Sequence, residues 1–304
     1  MDTRCTTQEG RNIVVTGGTR GLGRVQAEFA LRCGANHVTV TGRAPEDGGT
    51  PQDGYLTAAT LGKKYGSHRV SYVQSDVRSE ADNHRLFDPD EREASGLPRE
   101  VHAASLNAGI FGEAGNDRAL EALPAEAFEA VMDTNCTGVF RGMQAFSRAA
   151  ARTEVEDPSL LVIKSIYGSG GSAFSNAGYQ ASKFCVDGLV KQGAIELARP
   201  DPERGTPRIT VNSLSPGFVK TPLTAGWWQD PEVDRVVAEA HPQGRWVAAD
   251  DIGRTAQFLL RAPRSVTGVD IFVDNGVNAA SVPTVEDSER IRALTDEPCC
   301  GKAS

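Results

Sequence analysis

Tyr179 and Lys183 stand four residues apart in the run Asn176-Ala-Gly-Tyr-Gln-Ala-Ser-Lys, and together they could move a proton. The run continues through Phe184, Cys185, Val186, Leu189 and Val190 with apolar residues at helical spacing. That spacing predicts one helix carrying both side chains on the same face, their Cβ atoms roughly 5–6 Å apart. A free phenol titrates at about 10 and is a poor proton donor or acceptor at neutral pH. An ammonium held close favours the phenolate, lowers that value and suits the pair to general acid–base work. A Tyr-x-x-x-Lys pair by itself is commonly no more than a feature of an amphipathic helix, so its meaning depends on the rest of the chain.

A nucleotide site is the second chemical signal. Residues 12–16, Asn-Ile-Val-Val-Thr, form a β-branched run that stops at Gly17. The turn Gly17-Gly-Thr-Arg20-Gly21-Leu22-Gly23 follows, and then a helical pattern through Val25, Phe29, Ala30 and Cys33. A strand entering a helix through glycines presents backbone N–H groups and a helix N-terminus to a pyrophosphate. The second strand, His37 to Arg43, ends in Gly42-Arg43 with no carboxylate at its tip. An acid there would bond a ribose 2′-hydroxyl, whereas Arg43, with Arg20 opposite, suits a 2′-phosphate and favours NADP over NAD.

The order of the chain places these signals on elements. A turn-rich insertion at 44–54 is expected to be a surface loop, with a helix following to about Tyr65. A strand at 69–74 leads to Ser75-Asp76-Val77; Asp76 could reach an adenine amino group or cap the helix near Ser79. Residues 88–100, charged and Pro-containing, read as a loop. The strand at 101–106 is weak, with His102, Ala103, Ala104 and Ser105, and runs into the turn Asn107-Ala108-Gly109. The longest predicted helix spans Pro124 to about Arg152, with Phe128, Val131, Met132, Asn135, Val139 and Met143 on one stripe. Asn135 is out of place there: either a buried hydrogen bond satisfies it or it has a role. Strands at 160–165, from Arg208 and from Val269 to Val273, and helices near 232–240 and 249–261, complete the pattern. Strand–helix alternation from 12 to 273 predicts an α/β fold, a Rossmann-type doubly wound parallel sheet of about seven strands with helices on both faces. The glycine turn, Asp76, Asn107, Ser165, Tyr179 and Pro216 all fall at or just past strand C-termini, the edge where such sheets bind ligands. Residues 1–279 read as one domain and 280–304 as a loose tail.

Composition excludes several classes of protein. The 304 residues carry a formal charge of −8, which argues against nucleic acid or an anionic membrane as the main partner. No apolar run approaches the ~18 residues of a spanning helix. Six cysteines, at 5, 33, 136, 185, 299 and 300, lack metal-ligand spacing, so no metal is expected. They read as reduced thiols in a cytoplasmic protein.

Taken together, Thr16-Gly17-x-x-x-Gly21-x-Gly23, Asp76, Asn107-Ala108-Gly109, Asn135, Ser165, Tyr179-x-x-x-Lys183, Val211-Asn212 and Pro216-Gly217 resemble the short-chain dehydrogenase/reductase family, in its compact single-domain branch. The match covers roughly residues 11 to 277. The resemblance implies that Tyr179 exchanges the proton with the substrate oxygen and that Ser165 hydrogen-bonds that oxygen. It implies that Lys183 holds the nicotinamide ribose and depresses the Tyr179 pKa, while Asn135 positions a water leading to Lys183. The glycine loop, Arg20, Leu22, Arg43, Asp76, Val77, Asn107, Ala108 and Gly109 would hold the rest of an NADP(H), with Pro216, Gly217, Val219 and Thr221 towards the nicotinamide. A homodimer or homotetramer is also implied.

Two departures stand out. The family usually has a second Ser before the catalytic one, and here that place is Lys164. The stretch from Ser165 to Tyr179 is one residue longer than the commonest spacing, which makes Ser169 a rival to Ser165. The segment at about 221–248 would cover the substrate. Its Trp227 and Trp228 suggest an apolar or ring-bearing ketone or alcohol, or else a subunit contact. Tyr167 could line the pocket or pack beside its loop, and His241 is expected to serve structure. The expected activity is NADP(H)-dependent interconversion of a ketone or aldehyde and an alcohol, chiefly as reduction. The rival is a catalytically silent NADP-binding regulatory or scaffold protein of the same fold.

Overall fold

Short β-branched runs separated by helical stretches leave each strand only one way to satisfy its backbone, beside another strand. In the computed structural model, which describes residues 6–43, 52–112, 120–170, 175–200, 203, 205 and 207–279, seven strands do so. They are β1 Asn12–Val15, β2 His37–Gly42, β3 Val70–Gln74, β4 Ala103–Leu106, β5 Ser159–Ile163, β6 Thr210–Pro216 and β7 Asp270–Val273. Every pairing is parallel, in the order β3-β2-β1-β4-β5-β6-β7. The expected doubly wound sheet is therefore what the chain forms, and β4 takes its place despite its alanines.

The helices are α1 Gly21–Arg32, α2 Gln52–Tyr65, α3 Glu80–Phe87, α4 Pro89–Ala94, α5 Ala125–Met132, α6 Gly138–Ala150, α7 Ala177–Glu196, α8 Ala225–Trp228, α9 Pro231–Glu239 and α10 Ala249–Leu259. Strand periodicity assigns residues to the two faces. Ile13 and Val15 join Ala27, Leu31, Ile252 and Ala256 in the core under α1 and α10. Val14, between them, joins Val139, Met143, Phe146, Val186 and Val190 in the core under α6 and α7. Both faces are covered, so the strands read as continuous apolar runs.

Four expectations need correction. Residues 88–100 are not simply loop: Asp88 caps α4, accepting from the N–H groups of Asp90 (3.0 Å) and Glu91 (3.2 Å), with Pro89 in its first turn. Those are helix-start signals. The long helix from 124 is interrupted by a π-turn at Asp133–Thr137, which separates α5 from α6. Gln52 to Gly54, placed in the surface insertion, already belong to α2; residues 44–51 lie outside the described set. Finally, Cys136 and Cys185 form a disulfide, their Cα atoms 5.9 Å apart, because the π-turn packs against α7; Cys33 is disulfide-bonded as well. Cysteine usage therefore no longer speaks for a reducing compartment. Cys5, Cys299, Cys300 and the 280–304 tail lie outside the described residues. Among the described residues, no helix is long and apolar enough to cross a membrane.

Candidate active site

A cavity of about 710 Å³ opens along the C-terminal edge of the sheet, within the size range of cofactor and small-ligand sites. The glycine turn forms one end of it. Gly17 has φ +63°, and a Cβ there would lie 2.9 Å from the Ala108 Cα, so only glycine lets the β1 and β4 ends approach. α1 begins with no acidic residue in its first turn and no side-chain cap. Its N–H groups and positive dipole end are thus left to an anion. Gly21 and Leu22 line the cavity, while Gly23 packs behind against Gly17 and Asn107.

A hydrogen-bonded brace holds this end rigid. The Asn107 Nδ2 donates to the carbonyls of Thr16 (3.0 Å) and Gly17 (3.2 Å). The Thr16 hydroxyl accepts from the N–H groups of Asn107 (2.9 Å) and Ala108 (3.1 Å). Gln26 bridges behind them, donating to Asn107 Oδ1 at 3.0 Å and accepting from Ser105 at 2.6 Å. Gly109 continues the wall.

Arg20 and Arg43, both exposed, line the cavity at the tips of the glycine turn and β2. Beside β3 the wall is Ser75 and Val77. The Asp76 carboxylate turns to the Arg78 guanidinium at 2.7 Å and accepts from the Arg78 backbone N–H at 2.9 Å. Ser79, not Asp76, caps α3 by accepting from Asp82 N–H. Burial would raise the Asp76 pKa, but the bonds from Arg78, aided by the charge of Arg43, hold it below the ordinary value.

The other end carries the groups that could react. Asn176 caps α7 by accepting from the Tyr179 N–H at 2.8 Å, and its Nδ2 donates to the Phe111 carbonyl at 3.0 Å. This fixes Tyr179 in the first turn, 9% exposed, with Ser165 close enough to influence its phenol. Ser165 lies two residues past β5 and caps a short 3-10 turn at Ile166–Gly168, accepting from the Tyr167 N–H at 3.2 Å. The rival Ser169 instead accepts from the Lys164 ammonium at 3.2 Å. One helical turn beyond Tyr179, the Lys183 ammonium donates to the Ile163 carbonyl at 3.0 Å and lies 5.5 Å from the Tyr179 ring centre.

The electrostatics differ from the sequence expectation. Burial pushes the Tyr179 phenol up to about 12, against a smaller lowering by Ser165. Burial also pulls Lys183 down to about 8. Lys183 thus does not depress the phenol here: desolvation dominates, and the ammonium is directed to a β5 carbonyl. Asn135, 1% exposed, is fully engaged. It accepts from the Ile110 N–H (2.9 Å) and donates to the Ile110 carbonyl (2.8 Å) and Ser182 Oγ (3.1 Å). A buried hydrogen-bond set therefore explains an Asn on that stripe.

Pro216, at the end of β6, and Gly217, Val219 and Thr221 beyond it line the cavity. Beyond them aromatic rings close over Tyr179: Phe111 at 4.8 Å and Tyr167 at 6.2 Å between centroids. Trp227 contacts Phe111 (5.9 Å) and Phe218 (5.3 Å), and it lines the cavity. Trp228 turns back, its indole N–H donating to the Thr221 carbonyl at 3.0 Å. Trp246 and His241 lie behind Phe218, and the His241 Nδ1 is 2.8 Å from the Val237 carbonyl. Burial lowers the His241 pKa, consistent with a structural residue. Phe111 and Phe218 had no signal in the sequence beyond being aromatic.

Three comparisons bear on this arrangement. A family model described as enoyl-(acyl carrier protein) reductase matches residues 17–278. The 3beta-hydroxysteroid dehydrogenase 1 of Eggerthella lenta is 31% identical over 273 residues, covering 88% of this chain and 94% of that protein. The 3-alpha-(or 20-beta)-hydroxysteroid dehydrogenase of Mycobacterium tuberculosis is 30% identical over 271 residues, covering 89% and 90%. Among solved structures, the Pseudomonas aeruginosa RhlG/NADP complex superposes with a TM-score of 0.75 at 26% identity, covering 90% of this chain and 99% of that one. The chain belongs to the short-chain dehydrogenase/reductase family. With that membership it is an oxidoreductase acting on hydroxyl and carbonyl groups with a nicotinamide cofactor.

Proposed function

We propose that this protein is an NADP(H)-dependent reductase that converts an apolar, ring-bearing ketone to the alcohol, with Tyr179 as proton donor and Ser165 as the partner of the substrate oxygen. The observation that carries the reading is the burial of Ser165 and Tyr179 together beneath a roof of aromatic rings. When bound, the dinucleotide supplies the hydride. The chain handles the oxygen and the proton. Ser165 donates a hydrogen bond to the oxygen on which charge develops, and Tyr179 gives that oxygen its proton. Burial keeps the phenol protonated at neutral pH, the form a donor needs, but makes it a weaker acid that must be helped to release the proton. Lys183 then stands beside the phenolate left behind, where a positive charge is stabilising.

Three features favour NADP over NAD. Arg20 and Arg43 bracket the tip of β2, no carboxylate stands there, and Asp76 is already neutralised by Arg78. The glycine loop, Val77, Asn107, Ala108 and Gly109 would carry the adenosine and pyrophosphate, and Lys183, Pro216, Gly217, Val219 and Thr221 the nicotinamide half. The Phe111, Phe218 and Trp227 rings favour a flat alicyclic substrate. That class agrees with the hydroxysteroid dehydrogenases among the relatives. Residues 1–279 act as one domain, with 221–248 covering the substrate. Phe140, Phe184 and Ile195 are exposed on α6 and α7 and fit association into a dimer or tetramer, which light scattering will measure.

The test is NADPH oxidation against a panel of ketosteroids, cyclic ketones and short aliphatic ketones. Turnover of a cyclic or steroid ketone that is lost in Tyr179→Phe is expected. Equal rates for wild type and variant would remove Tyr179 from the proton transfer, and turnover of short aliphatic ketones alone would remove the ring-bearing substrate.

A further inference from the structure

Lys164 precedes Ser165, and its side chain is only 3% exposed. Its ammonium bonds Asp187 of α7 at 2.8 Å, Asp270 of β7 at 2.9 Å and Ser169 Oγ at 3.2 Å. Asp270 is itself 11% exposed, and it accepts from the hydroxyls of Ser213 (2.9 Å) and Ser215 (2.9 Å) on β6. The Ser215 hydroxyl lies 2.9 Å from that carboxylate and 3.2 Å from the Ser165 carbonyl, and its single proton can go to one or the other, so the cluster and the Ser165 backbone compete for it. Asp187 lies one helical turn past Lys183 on α7 and also has the Lys191 ammonium at 3.9 Å. The aliphatic stem of Lys164 fills the space under Gly168: a Cβ there would collide with that stem and come within 2.7 Å of the Lys183 carbonyl.

Four segments therefore meet in this cluster: the residues just past β5, α7 through Asp187, β7 through Asp270, and β6 through the serines that bond Asp270. Burial lowers the Lys164 pKa, but the bonds to Asp187 and Asp270 outweigh it and hold the ammonium above the ordinary lysine value. A buried ion cluster of this kind adds little net stability, because desolvation offsets most of the attraction. Apolar side chains would join these elements as firmly. Directional bonds fix something apolar contact does not, the relative setting of the joined segments.

We infer that the Lys164–Asp187–Asp270 cluster is a positioning device for the reaction: it sets Ser165, just past β5, against the Tyr179–Lys183 face of α7. Lys164 and Asp270 act through Ser165, Tyr179 and Lys183. This inference rests on the roles proposed above for Ser165 and Tyr179.

The experiment compares Lys164→Met and Asp270→Asn with wild type and Tyr179→Phe, using the ketosteroid or cyclic ketone turned over fastest with NADPH. The two substitutions remove charges of opposite sign. A positioning role predicts that both lower kcat roughly tenfold or more with KM changed much less, since small misplacements of reacting groups cost about this much. Both should also speed amide hydrogen exchange at 165–168 and 183–187 in the NADPH-loaded protein, a readout that needs no substrate. Opposite effects on kcat would mean that the charge acts directly on the reaction and would overturn the inference. Unchanged kcat and exchange with only a lower Tm would reduce the cluster to a structural one. If Lys164→Met fails to fold, the near-isosteric Asp270→Asn and Asp187→Asn carry the same test. A fully active Tyr179→Phe would instead overturn the roles of Tyr179 and Ser165, leaving the exchange data to judge the cluster.

Discussion

The two ends of the cavity are built by different means. At the glycine end, backbone makes the site: left-handed Gly17, the open N-terminus of α1 and the Thr16–Asn107 brace hold strand ends within hydrogen-bonding reach. At the Tyr179 end, side chains make it. Ser165, Tyr179 and Lys183 are buried, and the rings above them come from segments as far apart as Phe111, Tyr167, Phe218 and Trp227. The first end suits a ligand whose recognised part is a phosphate, which any backbone can bind if the turn is tight enough. The second must match one reacting atom and one apolar shape. A substitution at the glycine end should therefore change affinity, and one at the tyrosine end should change rate.

The sharpest challenge to that division is Tyr179→Phe. It should lower kcat roughly a hundredfold to ten-thousandfold, the usual weight of a positioned acid, while NADPH binding measured by fluorescence stays close to wild type. A comparable loss of NADPH affinity would erase the contrast between the ends.

Lys183 probes the tyrosine end through stability. Its folded pKa of about 8 lies below the ~10.5 of the unfolded chain. Between those values the unfolded state holds the extra proton, so unfolding free energy rises with pH through this window. The group's contribution is full above about 10.5 and lost as pH falls through about 8, on the order of 3 kcal/mol in all. The difference in denaturation midpoint between wild type and Lys183→Met should follow that rise. A difference independent of pH from 7 to 10 (roughly the span of the two pKa values) would show that the ammonium is not desolvated.

Arg43→Ala tests the glycine end. NADPH affinity should fall about tenfold and NADH affinity should hardly change, with the gap narrowing at high salt because Arg43 is exposed. Equal losses for both dinucleotides would take the 2′-phosphate away from Arg43. The smallest expected effect is that of Trp227→Ala, a several-fold rise in KM for a ring-bearing ketone with little change in kcat, consistent with lost apolar contact. A fall in kcat alone would place Trp227 with the reacting groups.

The same contrast governs what the sequence revealed. The glycine turn, the seven strands and the Tyr179–Lys183 spacing are local patterns, and each was legible as written. α4 is hidden in the sequence because charge and proline are loop signals, although Asp88 and Pro89 are also the two residues that start a helix. The lowered tyrosine pKa failed for a non-local reason. Spacing brings an ammonium near a phenol, but it does not reveal that both are buried or that Ile163 captures the ammonium. Cys136 and Cys185 are 49 residues apart, and only the packing of the π-turn on α7 shows that they meet. Lys164 was visible as a departure, whereas Asp187 and Asp270 as its partners were not.

The π-turn at Asp133–Thr137 bears on how this chain can change its length. α5 sends Val131 to the aromatic cluster near Tyr179, whereas α6 sends Val139, Met143 and Phe146 to the sheet. A π-turn holds one residue more than the α-helical turn it replaces. Deleting a single residue between 133 and 137 would let the segment become regular helix, and by helical geometry would turn everything before it by about 100° relative to α6. Val131 would leave the aromatic cluster, or Asn135 would lose Ile110, with helix content preserved. Most loops of such a fold can gain or lose a residue cheaply; here, inside a helix, the reading frame of the packing depends on one.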